Sequence, residues 1–227
     1  MNKIIYYHYF CTDKSFDILS RTLDEIIKSD LYENINKLHI NIVGENVQDH
    51  INSIQTKFAD KLDKINLHQY INQELREYMD SFTPSEIKHN YRLSIGKAGL
   101  ELDTLKLIQD QIHALKNPSN ILYIHGKGSV NSGAHKGAQL NREDWRLEMS
   151  NTVIRNWRKC QKDLKTKPHI GPKLCKNHYS GNFWWSTSEH IKSLQCPIEY
   201  AKSNKFSKWK LKQSPYYSAE FWICSLT

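Results

Sequence analysis

The run Ile121-Leu-Tyr-Ile124 is short and almost wholly apolar, closed on one side by Asn117-Pro118 and on the other by His125-Gly126. A strand without a polar face has to be buried on both faces, the mark of a parallel sheet covered by helices. The flanking segments agree. Leu100, Leu105, Ile108, Ile112 and Leu115 recur at helical spacing and stop at Asn117-Pro118. Upstream, Lys3 to Phe10 is rich in β-branched and aromatic residues and reads as a strand. A helix follows from a cap near Thr12 or Asp13, with Phe16, Leu19, Leu23, Ile26 and Ile27 on one face. Lys37 to Val43 is a second strand ended by Gly44-Glu45, and a helix over about 46–59 leads to a third strand around 65–70. The polar stretch around Pro84 yields no assignment. This βαβα alternation predicts an α/β fold with a mostly parallel sheet between helices. After residue 165 the pattern changes to short extended pieces and loops, an α+β addition within one domain over 1–227.

Ligands of such sheets bind beyond the carboxyl ends of the strands. That rule points to Phe10-Cys11, Gly44-Glu45 and His125-Gly-Lys-Gly128 together. The loop 126–137 carries four glycines and two lysines directly after the central strand. Glycines let backbone N–H groups approach phosphate oxygens, and lysine adds a point charge. A Walker A pattern does not fit it; the alternative is a surface loop with incidental lysines.

Composition narrows the class. The formal charge of +8 favours an anionic partner such as a nucleotide diphosphate, acidic lipid or nucleic acid. Five scattered cysteines without a CxxC pair argue against a zinc site or a disulfide framework and for a reducing compartment. The chain opens directly on an extended Ile4-Ile5-Tyr6-Tyr7 and has no long apolar run, which predicts a cytoplasmic protein. Eleven histidines show no HExxH pattern.

Three later segments carry candidate chemistry. Asn141 to Arg146 opens a strong helix with Trp145, Met149, Val153, Trp157, Cys160 and Leu164 on one face. Asp144 is either a capping-box carboxylate with Asn141 or a catalytic acid or base, and Arg146 either clamps phosphate or is solvated. The segment His178-Tyr-Ser-Gly-Asn-Phe-Trp-Trp-Ser-Thr-Ser-Glu189 mixes glycine, amide, histidine and aromatics. Trp184 and Trp185 alternate on a strand, so one of them has to cover a surface, a pocket or another element. An aromatic plate beside His178, Ser180, Gly181 and Asn182 suits a sugar, with its C–H face and hydroxyl rim. In Tyr216–Ile223 the carboxylate of Glu220 sits among aromatics, surroundings that favour a general base; a cap or a salt bridge is the alternative. Lys202, Lys205, Lys208, Lys210 and Lys212 alternate with Phe206, Trp209 and Leu211. Such a strip is a solvated face or a contact for acidic lipid, anionic glycan or single-stranded nucleic acid.

Taken in series, Gly-Lys-Ala-Gly-Leu-Glu-Leu-Asp-Thr-Leu (96–105), Tyr-Ile-His-Gly-Lys-Gly, Asp-Trp-Arg-x-x-Met, His-Tyr-Ser-Gly-Asn-Phe-Trp-Trp and Ala-Glu-Phe-Trp-Ile resemble a family of small glycosyltransferases. These occur in bacterial polysaccharide loci and large DNA viruses and include the N-terminal domain of a chlorella-virus enzyme. The similarity runs over about residues 3–224. It implies a GT-A-like fold, with a nucleotide-binding half (about 1–128) and an acceptor-binding half (about 129–227). On that template Tyr7, His8, Phe10 and Glu45 border the base and ribose. Lys97, Thr104, His125, Lys127 and Arg146 lie toward the diphosphate. His178, Ser180, Gly181, Asn182, Trp184 and Trp185 form the sugar and acceptor wall. Glu220, with Asp144 in reserve, takes the acceptor proton in an inverting transfer from a nucleoside diphosphate sugar, UDP-linked, to a glycan or lipid-linked acceptor. The 202–212 strip would touch the membrane surface. The chain departs from the family in having no Asp-x-Asp for Mg²⁺ or Mn²⁺. His125 and Lys127 stand in that place, and Glu101-Leu-Asp103 falls in an expected helix. Either cationic side chains replace the metal or other carboxylates hold it. The rival classes are a non-catalytic glycan-binding module on the same fold and a basic nucleic-acid-binding protein.

Overall fold

The computed structural model describes residues 1–81, 101–126, 144–175, 177–203 and 215–226. The first half follows the expected alternation: β1 (Asn2–Phe10), α1 (Ser15–Lys28), α2 (Leu31–Asn34), β2 (Lys37–Val43), α3 (Val47–Lys57), β3 (Ile65–His68), α4 (Gln73–Asp80), α5 (Glu101–Ala114) and β4 (Ser119–His125). A helix over residues 144–150, α6, passes through a π-helical turn (Asn151–Arg155) into α7 (Trp157–Asp163). Short strands β5 (His169–Ile170), β6 (Leu174–Cys175) and β7 (His178–Tyr179) lead to a 3₁₀ turn (Ser180–Asn182) and β8 (Trp184–Thr187). Helices α8 (Ser188–Ser193), α9 (Pro197–Lys202) and α10 (Pro215–Trp222) close the chain.

The six-stranded sheet has the order β3-β2-β1-β4-β8-β5, and β6 pairs with β7 in a separate ribbon. Strands β3, β2, β1 and β4 are parallel, while β8 is antiparallel to both β4 and β5. The chain winds outward from β1 to β3 and then returns to the other side of β1. The strand order therefore reverses between β1 and β4, the place where α/β sheets open a crevice.

Strand alternation divides the core into two layers. Ile5, Tyr7, Tyr9, Ile40, Ile42, Leu122, Ile124 and Trp185 pack under α1, α3 and the 149–164 helices. Ile4, Tyr6, Ile121, Tyr123 and Trp184 pack under α4, α5, α8, α9 and α10. The α5 layer also buries polar side chains, among them His8, Thr104 and His125. On it Tyr6 stacks on His39 and His39 on His68, with centroids 4.7 and 5.0 Å apart. All five cysteines are free thiols. Among the described residues no helix is long and apolar enough to cross a membrane.

Candidate functional site

His8 and His125 are register partners on β1 and β4, at the carboxyl side of the switch point and on the α5 face. Helix α5 runs back over this face, so its first turn overlies the strand ends. His8 is buried, its Nδ1 2.8 Å from the Thr104 hydroxyl of that helix. Asn41 on β2 donates to the same hydroxyl at 3.0 Å and clasps the backbone of Tyr70 in both directions. Burial pulls the His8 pKa down to about 4, with Glu101 opposing the shift and His125 adding to it. A neutral His8 therefore ties β1, β2 and α5 together.

Glu101, the first residue of α5, is the hub of the neighbouring network. Its Oε2 accepts from the Tyr123 hydroxyl at 3.0 Å and from Asn182 Nδ2 at 2.7 Å. Asn182 Oδ1 in turn accepts from Trp184 Nε1 at 3.1 Å. His125 Nε2 lies 2.8 Å from the Gly181 carbonyl and 3.9 Å from Glu101 Oε1. A carbonyl only accepts, so this nitrogen carries a hydrogen and, in the neutral ring, Nδ1 keeps the lone pair. Gly181 and Asn182 are both left-handed, at φ +73° and +56°. The conformation suits glycine and is tolerated by asparagine. A Cβ on Gly181 would meet Met149 Sδ at 1.9 Å, so the turn also requires close packing against α6.

Ser180 accepts from Trp145 Nε1 at 2.9 Å, and His178 packs its ring on Phe221 with centroids 4.7 Å apart. Helix α10, which carries the half-buried Glu220, thus rests on β7 and the Ser180–Asn182 turn. Phe10 and the exposed Glu45 sit where β1 and β2 end, with Gly44 (φ +117°) pressed against Cys11. Asp144 is exposed at the start of α6.

Several expectations are corrected. Trp184 and Trp185 form no aromatic plate, because both rings are fully buried, one in each core layer. Trp185 also donates to the Val153 carbonyl at 2.8 Å. The alternation that separates them is as expected, but helices cover both faces of β8. Tyr7 is fully buried and points into the α1 layer, away from the face that carries His8. Arg146 is neither solvated nor at the strand ends of the α5 face; it is buried against Glu25 of α1, with N–O 3.6 Å. Asp103 cannot join Glu101 in holding a metal. Two residues on along the helix it faces elsewhere, pairing with Arg76 and accepting from the Asn72 N–H at 2.9 Å. Among the described residues no group of three or more His, Cys, Asp or Glu side chains gathers to hold a metal. Lys202 pairs with Glu74 and Glu199. Lys97, Lys127, Asn141 and the strip from Lys205 to Lys212 lie outside the described residues.

The sequence reading passed over Glu101, Tyr123 and Asn41 as site residues. One signal was present: Glu101 is a carboxylate in the first turn of the helix that returns over the strand ends. Comparison of the chain with models of known protein families finds no match, and comparison with curated proteins finds none either.

Proposed function

We propose that the protein is a GT-A-like glycosyltransferase that moves a sugar from a nucleoside diphosphate sugar, UDP-linked, to the hydroxyl of a glycan or lipid-linked acceptor. One observation carries the reading. At the β1–β4 switch point His8, Thr104, Glu101, His125 and the Gly181–Asn182 turn converge, and the helix bearing Glu220 packs on that same turn. A polar, pre-organised corner beyond parallel strands is where this class of sheet takes its ligands. In the proposed step the acceptor oxygen attacks the anomeric carbon and its proton passes to Glu220. The bond from that carbon to the diphosphate breaks, and the electron pair leaves on the diphosphate oxygen. Lys127, two residues past β4 in the sequence and outside the described residues, offsets in this proposal the charge that develops there. The described carboxylates do not fit an Asp-x-Asp type of metal pair, so no step is routed through a metal.

The missing Asp-x-Asp favours a second reading, a glycan-binding module without chemistry. A thermal-shift panel of UDP, GDP, CDP, dTDP and their sugars, each with EDTA and with Mn²⁺, separates the two. Stabilisation by one nucleotide family supports donor binding and names the base. No shift with any nucleotide, together with binding on a glycan array, supports the module.

A further inference from the structure

Residues 155–167 hold six basic side chains, Arg155, Arg158, Lys159, Lys162, Lys165 and Lys167, against one acidic side chain, Asp163. All six are exposed. Helix geometry gathers them on one side. Trp157, Cys160 and Leu164 recur three and four residues apart and are buried in the α1 layer. Arg158, Lys162 and Lys165 recur at the same spacing on the outer face, with Lys159 beside them. The turn continues past α7: the Lys165 N–H donates to the Lys162 carbonyl at 3.2 Å and the Lys167 N–H to the Asp163 carbonyl at 3.0 Å. Trp157 pins this ridge to the domain, its Nε1 donating to the Ser29 carbonyl at 3.1 Å and to Asp30 at 3.2 Å. Arg158 pairs with Asp30. Among the described residues none of the other five cations forms an ion pair.

Like charges three and four residues apart on a helix destabilise it, and an anionic surface relieves that repulsion. The shape of the ridge selects among anionic surfaces. Single-stranded nucleic acid is held in grooves with aromatic platforms for its bases. Here the surface is a convex helix, and its one aromatic side chain, Trp157, is buried with the Lys3 and Arg158 cations 5.5 and 4.5 Å from its ring centroid. The amides that could read a base edge are engaged: Gln161 accepts from Asn120 at 2.6 Å and Asn156 donates to the Asn151 carbonyl at 2.8 Å. Long lysine side chains on an outward ridge suit a plane of phosphate headgroups. We propose that the outer face of α7 and the turn after it, from Arg155 to Lys167, docks the protein on a membrane surface rich in anionic phospholipid. The contact is electrostatic and without insertion, since no large apolar side chain of this stretch is exposed. α7 belongs to the α1 layer, whereas His8 and His125 lie on the α5 face, so a bilayer against α7 does not cover that corner. The proposal does not rest on the transfer reading.

Vesicle sedimentation tests it on the whole protein, with vesicles of phosphatidylcholine alone and of phosphatidylcholine and phosphatidylserine in equal parts. Wild type is expected on the anionic vesicles only, and raised salt should release it, because exposed charges are screened. A cation near an anionic membrane contributes about fivefold to partitioning. The triple variant Lys159→Gln/Lys162→Gln/Lys165→Gln should therefore bind about 100-fold more weakly. Its urea midpoint should match wild type, since these side chains are exposed and outside any ion pair. Arginine at the same three positions keeps the charge and should bind as wild type; a loss there too would mark a folding role and overturn the proposal. Lys205→Gln/Lys208→Gln/Lys210→Gln removes the same charge from the other basic stretch and should cost less than about fivefold. Equal losses in the two glutamine variants overturn the proposal, because net charge and not the α7 ridge then attracts the protein. So does a wild type that ignores the anionic vesicles or binds neutral ones equally well. An oligonucleotide duplex bound more tightly than the vesicles, and lost by the same triple variant, assigns the ridge to nucleic acid and overturns the proposal as well.

Discussion

Replacing Gly181 by alanine tests the turn on which the site depends. At φ +73° an alanine pays the left-handed penalty of about 1–2 kcal/mol. Its Cβ would lie 1.9 Å from Met149 Sδ and 2.9 Å from Met149 Cε. Met149 is fully buried, so its end has to move within a packed layer. Overpacking of this kind costs about 1–3 kcal/mol. The sum, about 2–5 kcal/mol, is a large part of the 5–15 kcal/mol typical of a folded domain. For a chain of this size it corresponds to a fall in Tm of roughly 4–20 °C. Urea denaturation gives the magnitude, and a double-mutant cycle with Met149→Ala divides it. With the thioether gone, only the backbone penalty of about 1–2 kcal/mol should remain for Gly181→Ala. A Gly181→Ala protein within about 0.5 kcal/mol of wild type would refute both the left-handed turn and its packing against α6.

Glu220→Gln is expected to lower sugar transfer by about 10²- to 10⁴-fold with nucleotide affinity unchanged; parallel loss of nucleotide binding in the same titration would mark a folding role instead. Trp185→Ala should destabilise by about 3–5 kcal/mol, since it empties a fully buried site and strips the Val153 carbonyl of its donor. Loss of sugar affinity with stability intact, read by titration and urea midpoint together, would restore the exposed-plate view. His8, His39 and His169 have pKa values pulled from 6.5 down to about 4, chiefly by burial. Below pH 6.5 the unfolded chain takes up protons at these rings that the folded chain does not. Their stabilisation is therefore complete above about pH 6.5 and is lost as pH falls toward 4. Urea midpoints should drop between pH 7.5 and pH 5, and His8→Gln should flatten that slope; an unchanged slope would remove His8 from the buried set.

Much of the fold was legible because it is written in short-range periodicity. β1, β2, β4, α1 and α5 appear close to where their apolar spacing placed them. The third strand is shorter than the expected 65–70, ending at His68, because Tyr70 turns its backbone to the Asn41 side chain. The site was legible in outline only. The carboxyl-end rule pointed to Phe10, Gly44-Glu45 and His125, and parallel pairing of β1 and β4 sets His8, named only through the resemblance, beside His125. Burial was misjudged at Trp184, Trp185, Tyr7 and Arg146 for one shared reason. Residue type and alternation say which face a side chain takes, but not whether another element covers that face.

By itself the sequence determined the parallel βαβ half, its order of elements and the strand ends at which a ligand site could open. These follow from the local rules of helix and strand, which act over a few residues. Only the tertiary structure decided which polar atoms meet. Glu101 finds Tyr123 across 22 residues and Asn182 across 81, and His125 finds the Gly181 carbonyl across 56. Such partners are chosen by the path of the chain between them, because a hydrogen bond forms only where packing brings donor and acceptor to about 3 Å.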